Sequence, residues 1–483
     1  MLRARRRVIQ GFDPFRKAGS SCGRYCYPTS NRGIINKYMT TEYDVLVIGA
    51  GVAGLNAGRL LAGAGRRVAI LEARNRIGGR IWTKLPALDR LQPPEAVELG
   101  AEFVHGLPQE TWSLVRQAGL STFEIDGSSF WFDGSRLMAA NQQRGAAESV
   151  LEDLGQWMQK QPRDTDMSFS EYLNGRNVDP LAAKAAGNYV EGFNAADQHY
   201  ISVAALAKQQ AAEDAIAADR LFRIEGGYAA VPNFLAEKFT GAGGRLILGA
   251  PVRKISWNRG GVLVETAAAE GDLRFHSRRA VITVPLGVLQ AQTIEFVPPP
   301  ADVLAHANRL KMGAAVHLTL AFTERFWDPN LSFLFAPGES PATWWTPMPH
   351  EAAMVTAWAG GPKAELLLNL ITADGDASAL RDRCLATLSK IFARPLSDIR
   401  QLLSSWHMHD WQSDQYSRGA YSYVQAGALD APEKMRIPVE DTLHFAGEHT
   451  DVSGHWGTVH AALASGASVA DQIISGDGSR RGP

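Results

Sequence analysis

The chain has 483 residues, 45% of them hydrophobic, which is long enough for two or three domains with sizeable cores. Its 49 basic and 50 acidic side chains leave a formal charge of −1, so no global field points to nucleic acid, and no apolar run approaches the length of a membrane span. Three cysteines, Cys22, Cys26 and Cys384, exclude a disulfide framework, suit a reducing, cytoplasmic compartment, and lack the second ligand pair that a zinc site would need, so no metal is expected.

Residues 1–38 stand apart from the rest. They carry nine basic side chains against the single acid Asp13, a net of +8, which leaves −9 on the remainder. There is no apolar core of a secretory signal. Three readings stay open: a disordered basic arm, a segment like an organelle presequence, or residues foreign to a protein that starts at Met39. The last fits best, because Met39-Thr40-Thr41-Glu42-Tyr43 leads straight into the first strand.

That strand begins the stretch around which the chain is organised, residues 43–80. Val45 to Ile48 is apolar and β-branched. A glycine turn follows, Gly49-Ala50-Gly51-Val52-Ala53-Gly54, then a small-residue helix, then a second apolar run that ends in Glu72. In such a turn the first glycine permits the bend, the second lets backbone approach a pyrophosphate, and the third lets helix pack on strand. The helix N-terminus offers unpaired N–H groups to phosphate. Glu72 follows Gly49 by 23 residues, the place of an acid that holds a ribose 2′-OH. Glu72 argues for an unphosphorylated ribose, which both NAD and FAD supply. Arg74, Arg76 and Ile77-Gly78-Gly79-Arg80 favour FAD, since paired glycines admit a large flat group and the arginines can reach diphosphate.

Through Glu72, Arg76, Gly78, Gly79 and Arg80 the sequence resembles the flavin-containing amine oxidases. The resemblance runs from about Glu42 to Ile474, in three separated blocks. It implies an α/β fold: a Rossmann-like FAD-binding domain of the glutathione-reductase type, interleaved with a mixed α+β substrate domain. The FAD-binding domain is expected from residues 39–120, 223–310 and 405–475. The substrate domain, with a helical cap, is expected from 121–222 and 311–404, and residues 476–483 read as a frayed end.

Residues 97–106 read as a short strand entering a glycine turn. In the family this place lies beside the flavin, which implicates Gly100, Ala101 and Glu102, and the residue matching His105 lines the substrate cavity. A His-Gly here most resembles the polyamine oxidases, although a histidine satisfied by loop backbone is the plain alternative. Residues 126–136 look like a hairpin, and alanine-rich helices are expected over 145–160, 168–174 and 180–189. The polar and aromatic run 189–197 is either a helix-ending loop or a place for a cationic substrate. A helix over 231–239 and strands over 245–248, 252–255, 261–266, 273–276 and 280–289 return the chain to the nucleotide domain. Val252 would put backbone at the adenine. Strands 315–322, 331–335 and 354–358 and a helix over 377–392 build the substrate domain. Trp344, Trp345 and Trp358 are core or cavity wall.

The C-terminal block carries Trp411, Tyr421 and a strand that runs through Gly447 to Glu448, which by resemblance binds the ribityl chain or diphosphate and otherwise caps a helix. The helix after Gly457, through Thr458 and Val459, would aim its N-terminus at the pyrimidine end of the flavin and stabilise negative charge there.

In the family a neutral amine loses hydride to flavin N5, the imine is hydrolysed, and oxygen reoxidises the flavin to give peroxide. Three departures matter. Ala420 stands where some members attach the flavin through cysteine, so FAD is expected to be noncovalent. Tyr421 supplies one aromatic wall, but the other falls at Thr458, which leaves room for a bulkier or secondary amine, with Trp456 a candidate replacement ring. The lysine that usually holds a water against N5 is replaced by His317, which could hold the same water or leave oxygen a poor acceptor. The expected catalytic group is therefore His317, Tyr421, His105 and Thr458. The expected function is FAD-dependent oxidation of a polyamine-like or secondary amine, with oxygen or another electron acceptor. Two other readings remain: a dehydrogenase or desaturase of the same fold on a non-amine, and a weakly active FAD-binding protein with a partner. No added recognition domain or long helical insertion suggests a histone-directed role, and assembly, homodimer or otherwise, is left open.

Overall fold

The computed structural model describes residues 42–85, 96–140, 144–160, 166–176, 178–267 and 271–479. The basic N-terminal residues, with Cys22, Cys26 and Met39, lie outside the described residues.

The first sheet has eight strands. Five of them are parallel, in the order Arg245–Ile247, Val68–Leu71, Glu42–Ile48, Leu273–Ile282 and Leu443–Phe445. These strands are apolar on both faces, as a parallel sheet covered on both sides requires. One face packs on the helices Val52–Gly63, Ala230–Gly241 and Val459–Ser479. The buried Asn56 of the first helix donates to the Leu463 carbonyl of the last at 2.7 Å, joining the two ends of the described chain. The antiparallel strands Gly261–Thr266 and Val252–Asn258 continue the sheet from the front half of Leu273–Ile282, and Glu295–Val297 closes it. This is the expected FAD-binding domain of the glutathione-reductase type.

The second sheet has seven strands, in the order Leu403–Met408, Ala315–Phe322, Met354–Gly360, Thr343–Trp345, Leu331–Phe335, Ser128–Phe132 and Leu137–Ala139. Ala315–Phe322 is buried along its whole length. Beside this sheet stand the helices Arg144–Gln159, Phe169–Asn174, Pro180–Asn194 and Val203–Ala215. Ser168 and Glu171 cap the second of them reciprocally, and Asp179 with Pro180 starts the third.

Several boundaries differ from the sequence reading. The stretches 273–276 and 280–289 are not two strands: one strand runs from Leu273 to Ile282, and Leu286–Gln290 is helical. Arg278 and Arg279 look like an interruption, but Arg279 is buried against Asp441 and Asp477, at 2.9 Å each. The domain boundary at 405 cuts through Leu403–Met408, which pairs with Ala315–Phe322 in the second sheet. The run 189–197 opens as helix, up to Asn194, before Ala195 turns left-handed. Residues 476–479 are not frayed; the last helix continues to Ser479, where Asp477 also pairs with Arg66 at 3.0 Å.

Candidate active site

Strand Glu42–Ile48 delivers the chain to Gly49, which takes φ +108°. Gly51 then starts helix Val52–Gly63 with no side-chain cap and no acid in the first turn. The first amides of that helix therefore lack intrahelical partners and point at open space. A Cβ on Gly51 would meet nothing within 4 Å, whereas one on Gly54 would sit 2.0 Å from the Gly49 carbonyl oxygen. The second glycine pair backs onto the first, with the Gly78 amide donating to the Ala50 carbonyl at 2.9 Å. Glu72 closes this end. It is 4% exposed, and its carboxylate accepts the Ala50 and Arg74 amides at 2.8 Å each.

One cavity of about 1970 Å³ runs from here through the molecule. Gly49, Gly51, Glu72, Arg74 and Val252 line its first end. Arg80, Gly100, Ala101, Glu102, Trp411, Gly447 and Glu448 line its middle, and His105, His317, Tyr421, Thr458 and Val459 follow. Every sequence-predicted site residue except Gly54 and Arg76 thus lines it; Gly54 serves the packing of helix on strand. Arg76 is not on the cavity. It braces the glycine turn through the Ile77 and Gly79 carbonyls and lies over Trp82.

The middle is held by bonds between distant blocks. Arg80 Nη1 donates to Glu448 Oε1 and to the Ala420 carbonyl, both at 2.8 Å. Glu448 Oε2 accepts Ser422 Oγ at 2.5 Å and the Gly457 amide at 3.1 Å. Burial would raise the Glu448 carboxyl, but Arg80 and its other partners outweigh burial and hold it below the usual range. Arg74 is paired with Asp414 at 2.6 Å, and Trp411 donates to the Leu99 carbonyl at 2.7 Å. Thr458 Oγ1 donates to the His455 carbonyl and accepts the Ala461 amide, so it also caps the last helix.

At the far end the Tyr421 hydroxyl donates to the Phe193 carbonyl at 2.7 Å. Trp345 and Trp358 stand on neighbouring strands of the second sheet and line the cavity, each about 6 Å from the His317 ring. Trp344, adjacent to Trp345, faces the other way into the core at 0% exposure, because side chains alternate along a strand. His317 Nε2 lies 2.9 Å from Glu102 Oε2. Glu102 Oε1 takes Arg223 and, at 3.0 Å, the Trp345 indole. Burial would raise Glu102, but Arg223 and His317 hold it low, so it is an anion set against the Arg223 guanidinium and hydrogen-bond donors. His105 sits edge-on to Phe193 and Phe103, and burial pushes it down to about 4.

Sequence reasoning missed the acids beyond this point. Glu152, Asp179, Glu213, Asp214 and Asp219 line the cavity, as do Lys184 and Lys363. Burial pushes Glu213 up to about 7, despite its bond from Gln209. The signal available was the acid pair at the end of an alanine-rich run, which had no strong stripe to mark it as helix. His455 and His460 also line the cavity and were not singled out.

The residues fit FAD. The glycine cradle leaves room where a pyrophosphate belongs, Glu72 follows the second strand into the cavity, and the same cavity reaches the aromatic residues. Among the described residues no helix is long and apolar enough to cross a membrane.

Residues 52–474 match the family model described as flavin containing amine oxidoreductase. The chain is 30% identical over 461 residues to polyamine oxidase 2 of Arabidopsis thaliana, covering 89% of this chain and 88% of that protein. It is 26% identical over 464 residues to lysine-specific histone demethylase 2 of Homo sapiens, covering 89% of this chain and 53% of that protein. Among solved structures, putrescine oxidase with putrescine bound has a TM-score of 0.75 at 24% identity, over 90% of this chain and 100% of that one. Cyclohexylamine oxidase from Brevibacterium oxydans has a TM-score of 0.72 at 20% identity, over 89% and 99%. These two structural likenesses bear on the fold. With a family match over most of its length, and a cavity that fits the cofactor that family uses, the chain belongs to the flavin-containing amine oxidoreductases and is an FAD-dependent enzyme acting on amines.

Proposed function

We propose that the chain oxidises a polyamine or another secondary amine, with hydride leaving the α-carbon and water then cleaving the imine to a carbonyl compound and a shorter amine. When bound, FAD supplies the hydride acceptor at N5 and returns the electron pair to oxygen as peroxide, or to another acceptor. The observation that carries this reading is the mixed lining of the one cavity, which holds the aromatic side chains Tyr421, Trp345, Trp358 and Phe193 and the acids Asp179, Glu213, Asp214 and Asp219.

The aromatic lining desolvates an amine, which favours its neutral form and frees the lone pair. The aromatic faces attract whatever cationic character remains. The acids suit a second ammonium on the same molecule, which a monoamine lacks. Glu213, near neutrality in its folded setting, ionises readily when such a cation arrives. Thr458 in place of a second aromatic wall leaves width for a substituted nitrogen. His317, held against Glu102, is the candidate for the water at N5.

Noncovalent attachment is part of the proposal. Ala420 occupies the place of the attaching cysteine, and Cys384 is buried in the second core, away from the cavity. Acid precipitation should leave a colourless pellet. A cytoplasmic setting agrees with that single unpaired thiol among the described residues.

The test is an anaerobic panel in which purified yellow protein is mixed with spermine, spermidine, N-acetylated polyamines, putrescine and small monoamines. Bleaching should be fastest with amines that carry a second charge. Fastest bleaching by a small monoamine would overturn the polyamine preference, and no bleaching by any amine would overturn amine oxidation.

A further inference from the structure

Amine oxidation has a proton requirement that the hydride step does not meet. A polyamine reaches the protein as an ammonium, whereas the α-carbon gives up hydride only when the nitrogen is neutral. One proton must leave each nitrogen that reacts before hydride transfer. Three groups beside the aromatic lining are engaged elsewhere: Tyr421 donates to Phe193, Thr458 is a helix cap, and Glu102 is enclosed by Arg223, Trp345 and His317.

Three histidines that the reaction does not otherwise use line the same cavity, with His105 and His455 both electrostatic neighbours of His460. His105 is at the end of strand Val104–His105, His455 in the loop before the last helix, and His460 at the second position of helix Val459–Ser479. The rings of His455 and His460 meet edge to face, 4.5 Å between centroids. His460 is 6% exposed, and its Nε2 is buried without a hydrogen-bond partner among the described residues. An unpartnered buried ring nitrogen is costly unless something transient uses it. No group of three histidine, cysteine or acidic side chains among the described residues is arranged to hold a metal, so these three are not a metal site.

We propose that His105, His460 and His455 form a proton exit from the amine chamber to the surface beside Glu110. The substrate ammonium gives one proton to His105, which passes one on through His460 to His455 and so to solvent. A single proton moves, no electrons move, and each imidazole ends neutral as it began. His105 meets the substrate as its proton acceptor, and His460 and His455 act through it. The proposal rests on amine oxidation as the reaction.

The surroundings suit a conduit. Burial pushes His105 down to about 4 and His460 to about 3, the latter with help from its two histidine neighbours, so at neutral pH neither ring holds a charge that would repel the ammonium. His455 is also lowered by burial, against the pull of Asp451 and Glu110. These two acids are the negative groups facing the outer end. Asp451 is buried and tied to the amides of Ser453, Gly454 and His455, while Glu110 is exposed on helix Gln109–Ala118. The cation on the cap side is Lys208, 5.9 Å over the Trp456 ring. Phe193 and Phe103 flank His105 and contribute no charge. The outer end is thus negative, and the inner end carries no charge.

The experiment uses the FAD-loaded protein with His460→Gln and, because a buried substitution can disturb folding, the more exposed His455→Gln as well. Anaerobic bleaching by spermidine is followed in a stopped-flow instrument from pH 6 to pH 11. At pH 7 each variant should bleach roughly 10- to 100-fold more slowly, at or below the lower end of what a positioned proton-transfer group contributes. The deficit should vanish near pH 11, where the amine arrives neutral, and millimolar imidazole should restore part of the rate at pH 7. A second readout involves no turnover. A tert-alkyl amine has no α-hydrogen, and its binding should release a proton to a pH indicator to the same extent, but more slowly, in the variants. A deficit equal at all pH values, or none at any, with the wild type bleaching normally, overturns the exit while leaving amine oxidation intact. A wild type that no amine bleaches removes both.

Discussion

Gly51→Ala and Gly54→Ala make the same chemical change three residues apart, and the structure assigns them opposite consequences. At Gly54 the added methyl would lie 2.0 Å from the Gly49 carbonyl oxygen and 2.8 Å from Thr283 Oγ1, where ordinary contact begins at 3.4 Å. The helix must therefore withdraw by about 1.4 Å from a strand end that is itself pinned by the Thr283 amide and hydroxyl on the Ile48 carbonyl. Overpacking of this kind costs ~1–3 kcal/mol when side chains can yield. Here the obstacle is backbone, so the loss belongs at or above the top of that range. At Gly51 the backbone is at φ −70°, ψ 174°, which alanine adopts freely, and the methyl meets nothing within 4 Å. Its cost to the apoprotein is the N-cap preference for glycine over alanine, under about 1 kcal/mol. It would, however, occupy the space through which a pyrophosphate reaches the helix amides. Losing one charge-assisted hydrogen bond of ~1.5–3 kcal/mol weakens binding by about 10- to 100-fold. The assay is apoprotein melting beside FAD titration by flavin fluorescence. Gly54→Ala should melt early or fail to accumulate; Gly51→Ala should melt within a few degrees of wild type and bind poorly. A Gly51→Ala protein that binds FAD normally, or a Gly54→Ala protein that is unaffected, would refute the placement of the cradle.

Glu448→Gln keeps the shape of the side chain but turns a neutral amide to Arg80. Removing one partner of a buried pair costs ~3–5 kcal/mol, of which the retained amide oxygen returns part, so about 2 kcal/mol and a ~30-fold weaker hold on FAD are expected in the same titration; less than threefold would contradict the pairing. His317→Ala should slow reoxidation by oxygen at least about tenfold, a barrier increase of ~1.4 kcal/mol, while changing reduction by amine less, and equal effects on the two half-reactions would sink that assignment. Acid should destabilise the fold. His444 and His449, each 1% exposed, are pushed down to about 4 by burial, so the unfolded chain, near 6.5, takes up protons first. The stability tied to keeping them neutral is full above pH ~6.5 and is lost as pH falls toward 4, on the order of 7 kcal/mol for the two. Glu98, raised to about 7 by burial, works in the opposite sense and returns about 3 kcal/mol between pH 7 and 4.5. A melting temperature that is flat from pH 7 to 4.5 would show that this balance is wrong.

What could be read from the sequence was what is local. Strand, glycine turn, helix and acid fall within residues 43–80, and their spacing carries their geometry. Tyr421, Glu448 and Thr458 could be placed only by resemblance, since nothing near them in the chain says what they face. Register was out of reach: Trp344 and Trp345 are chemically alike, and only strand alternation sends one to the core and the other to the cavity. So were partners brought in from afar. Glu102 meets Arg223 and Trp345, which are 121 and 243 residues away. The break foreseen near Arg279 failed for the same reason, because Asp441 and Asp477 neutralise a charge that would otherwise end a strand. Helix Val203–Ala215 went unseen because its alanines and polar residues alternate without a clear apolar stripe, and the acidic wall went unseen with it.

Most side chains read as cofactor ligands are already engaged by the protein. Glu72 accepts two backbone amides, Arg74 is paired with Asp414, and Trp411 is bonded to Leu99. Glu448 is shared among Arg80, Ser422 and Gly457. Each retains lone pairs, protons or a ring face for a ligand, but each is fixed in place without one. Rotamer freedom that a loose site would lose on binding, ~0.5–1.5 kcal/mol for each long side chain, has already been lost on folding. Changes at these positions must therefore lower apoprotein stability and FAD affinity together, because the same bonds serve both. Gly51 differs because it contributes only space and amides. A variant there separates affinity from stability, and it is the one substitution in the cradle whose binding defect can be attributed to the ligand's own contacts.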